Sequence, residues 1–161
     1  MTARRLSDAE RLDWLRLIRT ENVGPITFAQ LVERFGTASA AIAALPELSR
    51  RGGRQAALRV CPKEAAQAEI EALTKLGAHL IARGEPEYPQ ALAAIETAPP
   101  LLSARGDIAL LSRRMVAIVG ARNASANGVR FARQLAADLG QAGYVVASGF
   151  ARGIRSEEHT S

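Results

Sequence analysis

The chain has a single cysteine, Cys61, in 161 residues. No disulfide framework can form within it, and with only His79 and His159 to help, no metal-binding constellation assembles. Cys61 is expected to be a small buried residue. No run of about 20 apolar residues occurs, so no membrane span is expected. The basic start, Met1 to Arg5, runs into Ser7-Asp8-Ala9-Glu10-Arg11 rather than the apolar core of a signal peptide, and a cytoplasmic location is expected. Lysine is nearly missing: Lys63 and Lys75 stand against 19 arginines. Arginine in place of lysine fits GC-rich coding. It leaves the net charge of +5 unexplained, and that charge favours anionic partners, nucleic acid among them.

The apolar fraction, 48%, is ordinary for a globular protein, and the length suits one domain or two small ones. Ser7-Asp8-Ala9-Glu10 has the spacing of a capping box. Leu12, Leu15 and Ile18, widened by Trp14 and Leu17, then mark an amphipathic helix of about four turns, with Trp14 a core residue. Asn22-Val23-Gly24-Pro25 ends that helix and opens another, in which Ile26, Ala29, Leu31 and Val32 lead to Phe35-Gly36. Two helices joined by a short glycine-containing turn resemble a helix-hairpin-helix, with Asn22 standing where the motif's first glycine would be. Short helical pieces are expected over 38–45, 46–49 and 54–58, with Arg50 to Arg54 a solvated loop. Pro62 opens a further helix through Leu76, which Gly77 stops.

Ala78 to Ala82 reads as a strand that includes His79, here a structural histidine. A short helix from Glu87, a short strand over 101–106 and one helical turn over 107–111 follow. Met115 to Val119 is a short apolar run ending at Gly120. A polar loop carrying Arg122 comes next, then a helical segment with Phe131, Leu135 and Leu139 on one face. Tyr144 to Ala147 is a second apolar strand, and Ser148 to Gly153 a second polar turn. Strand, helix and strand make a parallel, right-handed βαβ unit whose ligand site lies beyond the carboxyl ends of the strands.

A helix N-terminus there is suited to an anion. The dinucleotide fingerprint would need glycine at Arg122 and Ser125, and an acidic residue where Ser148-Gly149 stands, so NAD is disfavoured. Ser125-Ala126-Asn127 supplies no P-loop lysine. What remains is Gly120, Arg122 projecting from the turn, Ser125 as hydroxyl donor or N-cap, and Arg152 on the neighbouring loop with Ser148 and Gly149. Arginine's permanent forked cation fits phosphate oxygens. No nucleophile–base pair is visible in these turns, and no cofactor is implied.

The segments 116–128 and 145–154 resemble the two leading motifs of the DNA-processing protein DprA (Smf) family. Tyr88-Pro89-Gln90-Ala91-Leu92 and 99–106 match that family's pattern as well, as does a helical N-terminal domain of sterile-alpha-motif-like or helix-hairpin-helix character. The resemblance implies an α/β fold: a helical domain over 1–74, with its linking helix, followed from residue 75 by the start of an extended Rossmann domain. It further implies a non-enzymatic, homodimeric protein that binds single-stranded DNA during natural transformation, protects incoming strands and loads RecA onto them. Gly120-Ala121-Arg122 matches the family's glycine–small residue–arginine turn, which makes Arg122 the first choice for a phosphate contact. Ser125, Ser148, Gly149 and Arg152 are carried over as members of the same motifs.

After Ile154 the sequence departs from the family. Arg155 and Glu158 replace an expected aspartate and small residue, while His159 keeps the spacing of the family's histidine. The tail 155–161 reads as foreign sequence joined to a truncated gene. The rest of the sheet, the dimer surface and any winged-helix domain are then expected beyond residue 161. The alternative is a nucleotide-binding Rossmann enzyme of the lysine-decarboxylase-like phosphoribohydrolase type, whose P-G-G-x-G-T-x-x-E motif would fall further downstream.

Overall fold

The computed structural model describes residues 4–51, 59–121 and 123–149. The expected helical piece over 54–58, together with Arg122, Arg152 and the tail 155–161, lies outside the described residues. The chain divides into two units, Met1–Leu111 and Ser112–Ser161. Its class is α/β, with a helical N-terminal part followed by small antiparallel and parallel sheets.

In the first unit, α1 (Asp8–Ile18) starts on the full capping box: Ser7 Oγ accepts from the Glu10 amide, and the Ser7 amide donates to Glu10 Oε2 at 2.8 Å. The helix is 11 residues long, about three turns rather than four. It closes because the Thr20 amide tightens onto Leu17 O, three residues back, and Asn22 then takes φ +61°. Gly24 and Pro25 at its first position start α2 (Pro25–Phe35), and Gly36 at φ +79° ends it.

Phe28 and Leu31 are the buried residues of α2, whereas Ile26 and Ala29 are exposed. The spacing of Phe28 and Leu31 follows α1, whose Trp14 ring meets Phe28 edge-on at 4.9 Å. Trp14 is partly buried and packs against the core cluster that holds Phe28 and Leu31.

The next segment is one continuous helix, α3 (Ala38–Arg51), with Pro46 inside it and Arg50 and Arg51 on its last turn. This corrects the expected break at Pro46 and the expected loop at Arg50. Pro46 removes one helical donor. Burial of Ala38, Ala41, Ile42 and Leu45 in one cluster with Leu17, Val23, Phe28 and Leu31 outweighs that loss, and the helix continues to Arg51.

Helix α4 (Lys63–Lys75) packs Ala66 against Leu12 and Leu15 of α1 and ends at Gly77, φ +65°. Next, β1 (Ala78–Ala82) pairs antiparallel with β2 (Leu101–Arg105), Ala78 opposite Arg105 and Ala82 opposite Leu101. Between them, α5 (Gln90–Ala93) forms a single turn, and a 3₁₀ turn covers Ile108–Ser112. Cys61 is half-buried rather than buried: its amide donates to Thr20 Oγ1 at 3.2 Å and its thiol to Pro62 O at 3.6 Å. His79 is exposed, on the outward-facing register of β1.

The second unit holds β3 (Met115–Ala117), α6 (Ala126–Gln141) and β4 (Val145–Ala147). The strands are parallel, with Met115, Val116 and Ala117 opposite Val145, Val146 and Ala147. Gly143, φ +83°, makes the return from helix to strand. Ala132 is the buried residue of α6, while Phe131 and Leu135 are exposed.

Candidate nucleic-acid interface

Parallel pairing decides where the polar turns emerge. With Ala117 beside Ala147, both strands run out at the same end. The Ile118 amide still donates to Ala147 O at 3.0 Å, and Ile118 itself is buried, so the exit of β3 is held tightly. Gly120 follows two residues later on one side, and Ser148 and Gly149 follow at once on the other. The chain then re-enters helix at Ser125. In extended backbone (φ −68°, ψ 156°), its Oγ accepts from the Gly128 amide at 3.2 Å, so Ser125 is an N-cap. The first turn of α6, with its positive dipole end and remaining amides, thus belongs to the same end of the sheet. Of the six site residues expected from sequence, Gly120, Ser125, Ser148 and Gly149 are described and sit on the segments leaving that end. Arg122 and Arg152 lie outside the described residues.

Sequence reasoning overlooked two polar residues of this end. Arg130 and Asn127, three apart on α6, are both exposed, and Arg130 Nη2 donates to Asn127 Oδ1 at 2.5 Å. The signal was available in the i, i+3 spacing just past a capping serine. Neither residue belongs to the apolar stripe of Phe131, Leu135 and Leu139.

Charge separates the two units as clearly as geometry does. Residues 1–111 carry 14 basic and 13 acidic side chains, close to balance. Residues 112–149 carry five arginines, 113, 114, 122, 130 and 133, against the lone Asp138. At the amino end of the strands Arg113 donates to Gly143 O at 3.2 Å, and Arg114 lies 4.9 Å from the centre of the Tyr144 ring. The positive excess of the whole chain therefore resides in the strand–helix–strand unit, where a polyanion would find it.

The ionic groups of the first unit are engaged differently. An open cleft of about 630 Å³ there has Arg5, Arg11, Glu85 and Glu87 in its wall, with Asp8, Thr74, His79 and several apolar residues. Arg5 pairs with Glu87 and Arg11 with Glu85, which suits a structural role. Glu85 is 7% exposed and takes hydrogen bonds from the Leu6 amide (2.9 Å), the Ala82 amide (2.8 Å) and Arg11 Nη2 (2.7 Å). Burial pushes its carboxyl up. The Arg11 bond and the two amides outweigh that and leave it below the ordinary value. Arg11 also donates to Leu80 O. Three segments, the N-terminal lead, α1 and β1, are thereby tied at one carboxylate. Nearby, Tyr88 is buried and its hydroxyl donates to Pro99 O at 2.6 Å, joining the two segments around 88–92 and 99–106. Burial raises the Tyr88 phenol above its ordinary value.

Comparison with known proteins agrees with this layout. Residues 8–72 match the family model of a DprA-like N-terminal HHH domain. Residues 79–161 match that of DNA recombination-mediator protein A. The chain belongs to the DNA recombination-mediator protein A family. A curated relative, the DNA processing protein DprA of Bacillus subtilis (strain 168), is 34% identical over 93 residues, covering 57% of this chain and 31% of the relative. The match thus spans about a third of that protein.

The matched HHH domain includes the turn at Asn22-Val23-Gly24 between α1 and α2. Asparagine is the non-glycine residue that enters the left-handed region most readily, and at φ +61° Asn22 takes the conformation a glycine would take there. Val23 between them is buried among Phe28 and Leu31. Among the described residues, no group of three or more histidine, cysteine, aspartate or glutamate side chains could hold a metal ion. No described helix is long and apolar enough to cross a membrane.

Proposed function

We propose that this chain is a single-stranded DNA-binding protein of the DprA type. It acts without enzymatic activity in the cytoplasm during natural transformation, shielding incoming strands and passing them to RecA, and the full-length protein works as a homodimer. The DNA site comprises Gly120, Arg122, Ser125, Ser148, Gly149 and Arg152. The helical domain ends near residue 74, and the Rossmann domain begins at 75. The observation that carries the reading is the concentration of positive charge in residues 112–149, together with two polar turns leaving the same end of β3 and β4. Backbone amides and arginines at such an end hold phosphates whatever the base sequence.

The test is a titration of a fluorescent single-stranded oligonucleotide over a range of salt concentrations, comparing the chain with its Arg122→Ala variant. Removing one arginine–phosphate interaction should lower the slope of log affinity against log salt by about 0.7. Equal affinity and slope remove Arg122 from the site. No binding by the unaltered chain refutes the reading, and release of base from a nucleoside monophosphate replaces it with a nucleotide-binding enzyme.

A further inference from the structure

Phe131 is the sixth residue of α6 and is 70% exposed. A phenylalanine ring left in water forgoes a large contribution to folding, because apolar burial is the main favourable term. The unit takes its buried contact from Ala132 instead, the next residue on the helix. Scattered exposed apolar residues are ordinary on protein surfaces. The setting of Phe131 makes it specific. Asn127 is four residues before it, on the same helical face, and Arg130 is adjacent, held by Asn127 Oδ1 at 2.5 Å. Helical side chains lean toward the helix N-terminus, which here means toward the capping Ser125 and the turn at Gly120. An exposed ring and a fixed guanidinium therefore stand one to two turns from the end where the proposed phosphate site lies, in a stretch of five arginines and one aspartate.

We infer that Phe131 is a stacking platform for one base of the bound strand, with Arg130 on the adjoining phosphate, so that single-stranded DNA runs from the turn onto the first two turns of α6. This inference rests on the single-stranded DNA reading above. Charge complementarity selects a polyanion over an apolar protein surface as the occupant. The ring selects a single strand, because an unpaired base can offer its face whereas a duplex keeps its faces stacked. Every base has such a face, so the interaction adds affinity without sequence preference.

The test uses the full chain, a fluorescent oligothymidylate and a strand of equal length with abasic sugars, at one low salt concentration. Phe131→Ala should weaken binding to oligothymidylate about 5- to 150-fold, the range for one stacked base. On the abasic strand it should match the unaltered chain, and Phe131→Trp should keep the affinity for oligothymidylate. Across a salt series, Phe131→Ala should leave the salt slope unchanged, whereas Arg130→Ala should lower it by about 0.7. Because Phe131 is exposed, circular dichroism should give the same melting curve for the unaltered chain and both Phe131 variants. Unchanged affinity for oligothymidylate in Phe131→Ala, or equal losses on both strands, overturns the inference while leaving the DNA reading intact. So does a loss of self-association in sedimentation with DNA affinity unchanged, which would mark the ring as a protein contact. If the unaltered chain binds neither strand, both the inference and the reading beneath it fall.

Discussion

Removing the Glu85 carboxylate should unfold the first unit more readily than any surface change. In Glu85→Ala the Arg11 guanidinium, 19% exposed, loses its partner in a half-dry setting. The Ala82 amide, on a residue with 0% exposure, and the Leu6 amide lose their acceptor at the same time. Breaking a buried pair from one side costs about 3–5 kcal/mol, and each stranded amide by itself accounts for about 1–3 kcal/mol of such a loss. Urea denaturation followed by circular dichroism should therefore show a stability loss of about 3–5 kcal/mol with the slope unchanged. A double variant, Arg11→Met with Glu85→Leu, should recover part of it, because no charge is then left uncompensated.

Acid gives a second reading of the same group. The folded carboxyl lies below its ordinary value, so its contribution is complete above the unfolded pKa of about 4.3 and fades as pH falls from there through the lower folded value. Glu85→Gln should flatten the acid limb of stability against pH. A loss under about 1 kcal/mol for Glu85→Ala, the size of an exposed ion pair, would refute the assignment of Glu85 as the tie between α1, β1 and the N-terminal lead.

Other substitutions probe single features. Asn22→Gly should be neutral to about 1 kcal/mol stabilising, and Asn22→Val should cost about 1–2 kcal/mol, read from urea midpoints, because φ at this position is +61°. Ser125→Ala should cost the second unit about 1 kcal/mol, seen as faster amide exchange in the first turn of α6 and at Gly128 in particular. Tyr88→Phe should cost about 1–3 kcal/mol in thermal melts, since it strands the Pro99 carbonyl that accepts from the buried hydroxyl.

Local signals in the sequence determined most element positions. The capping box at Ser7, the Gly24-Pro25 start of α2, the stop at Gly77 and the two apolar strands around α6 all act within a few residues, so spacing and residue type suffice to read them. Family membership was legible for the same reason, because it resides in contiguous motifs.

Tertiary structure decided what depends on partners distant in sequence. It carried α3 through Pro46, because Ile42 and Leu45 pack on α1 and α2, and it chose Phe28 over Ile26 for the core, because Trp14 stands opposite. It paired β1 with β2 antiparallel, bringing Ala78 to Arg105 and Ala82 to Leu101. It gathered Leu6, Arg11 and Ala82 around Glu85, a residue with no helical or strand periodicity to announce it. The exposed ring of Phe131 belongs with these. Spacing placed it on an apolar stripe, and only the packing of the unit showed that Ala132 goes inward while the ring stays in water. Periodicity tells which residues share a face; the packing of distant segments settles which face is buried.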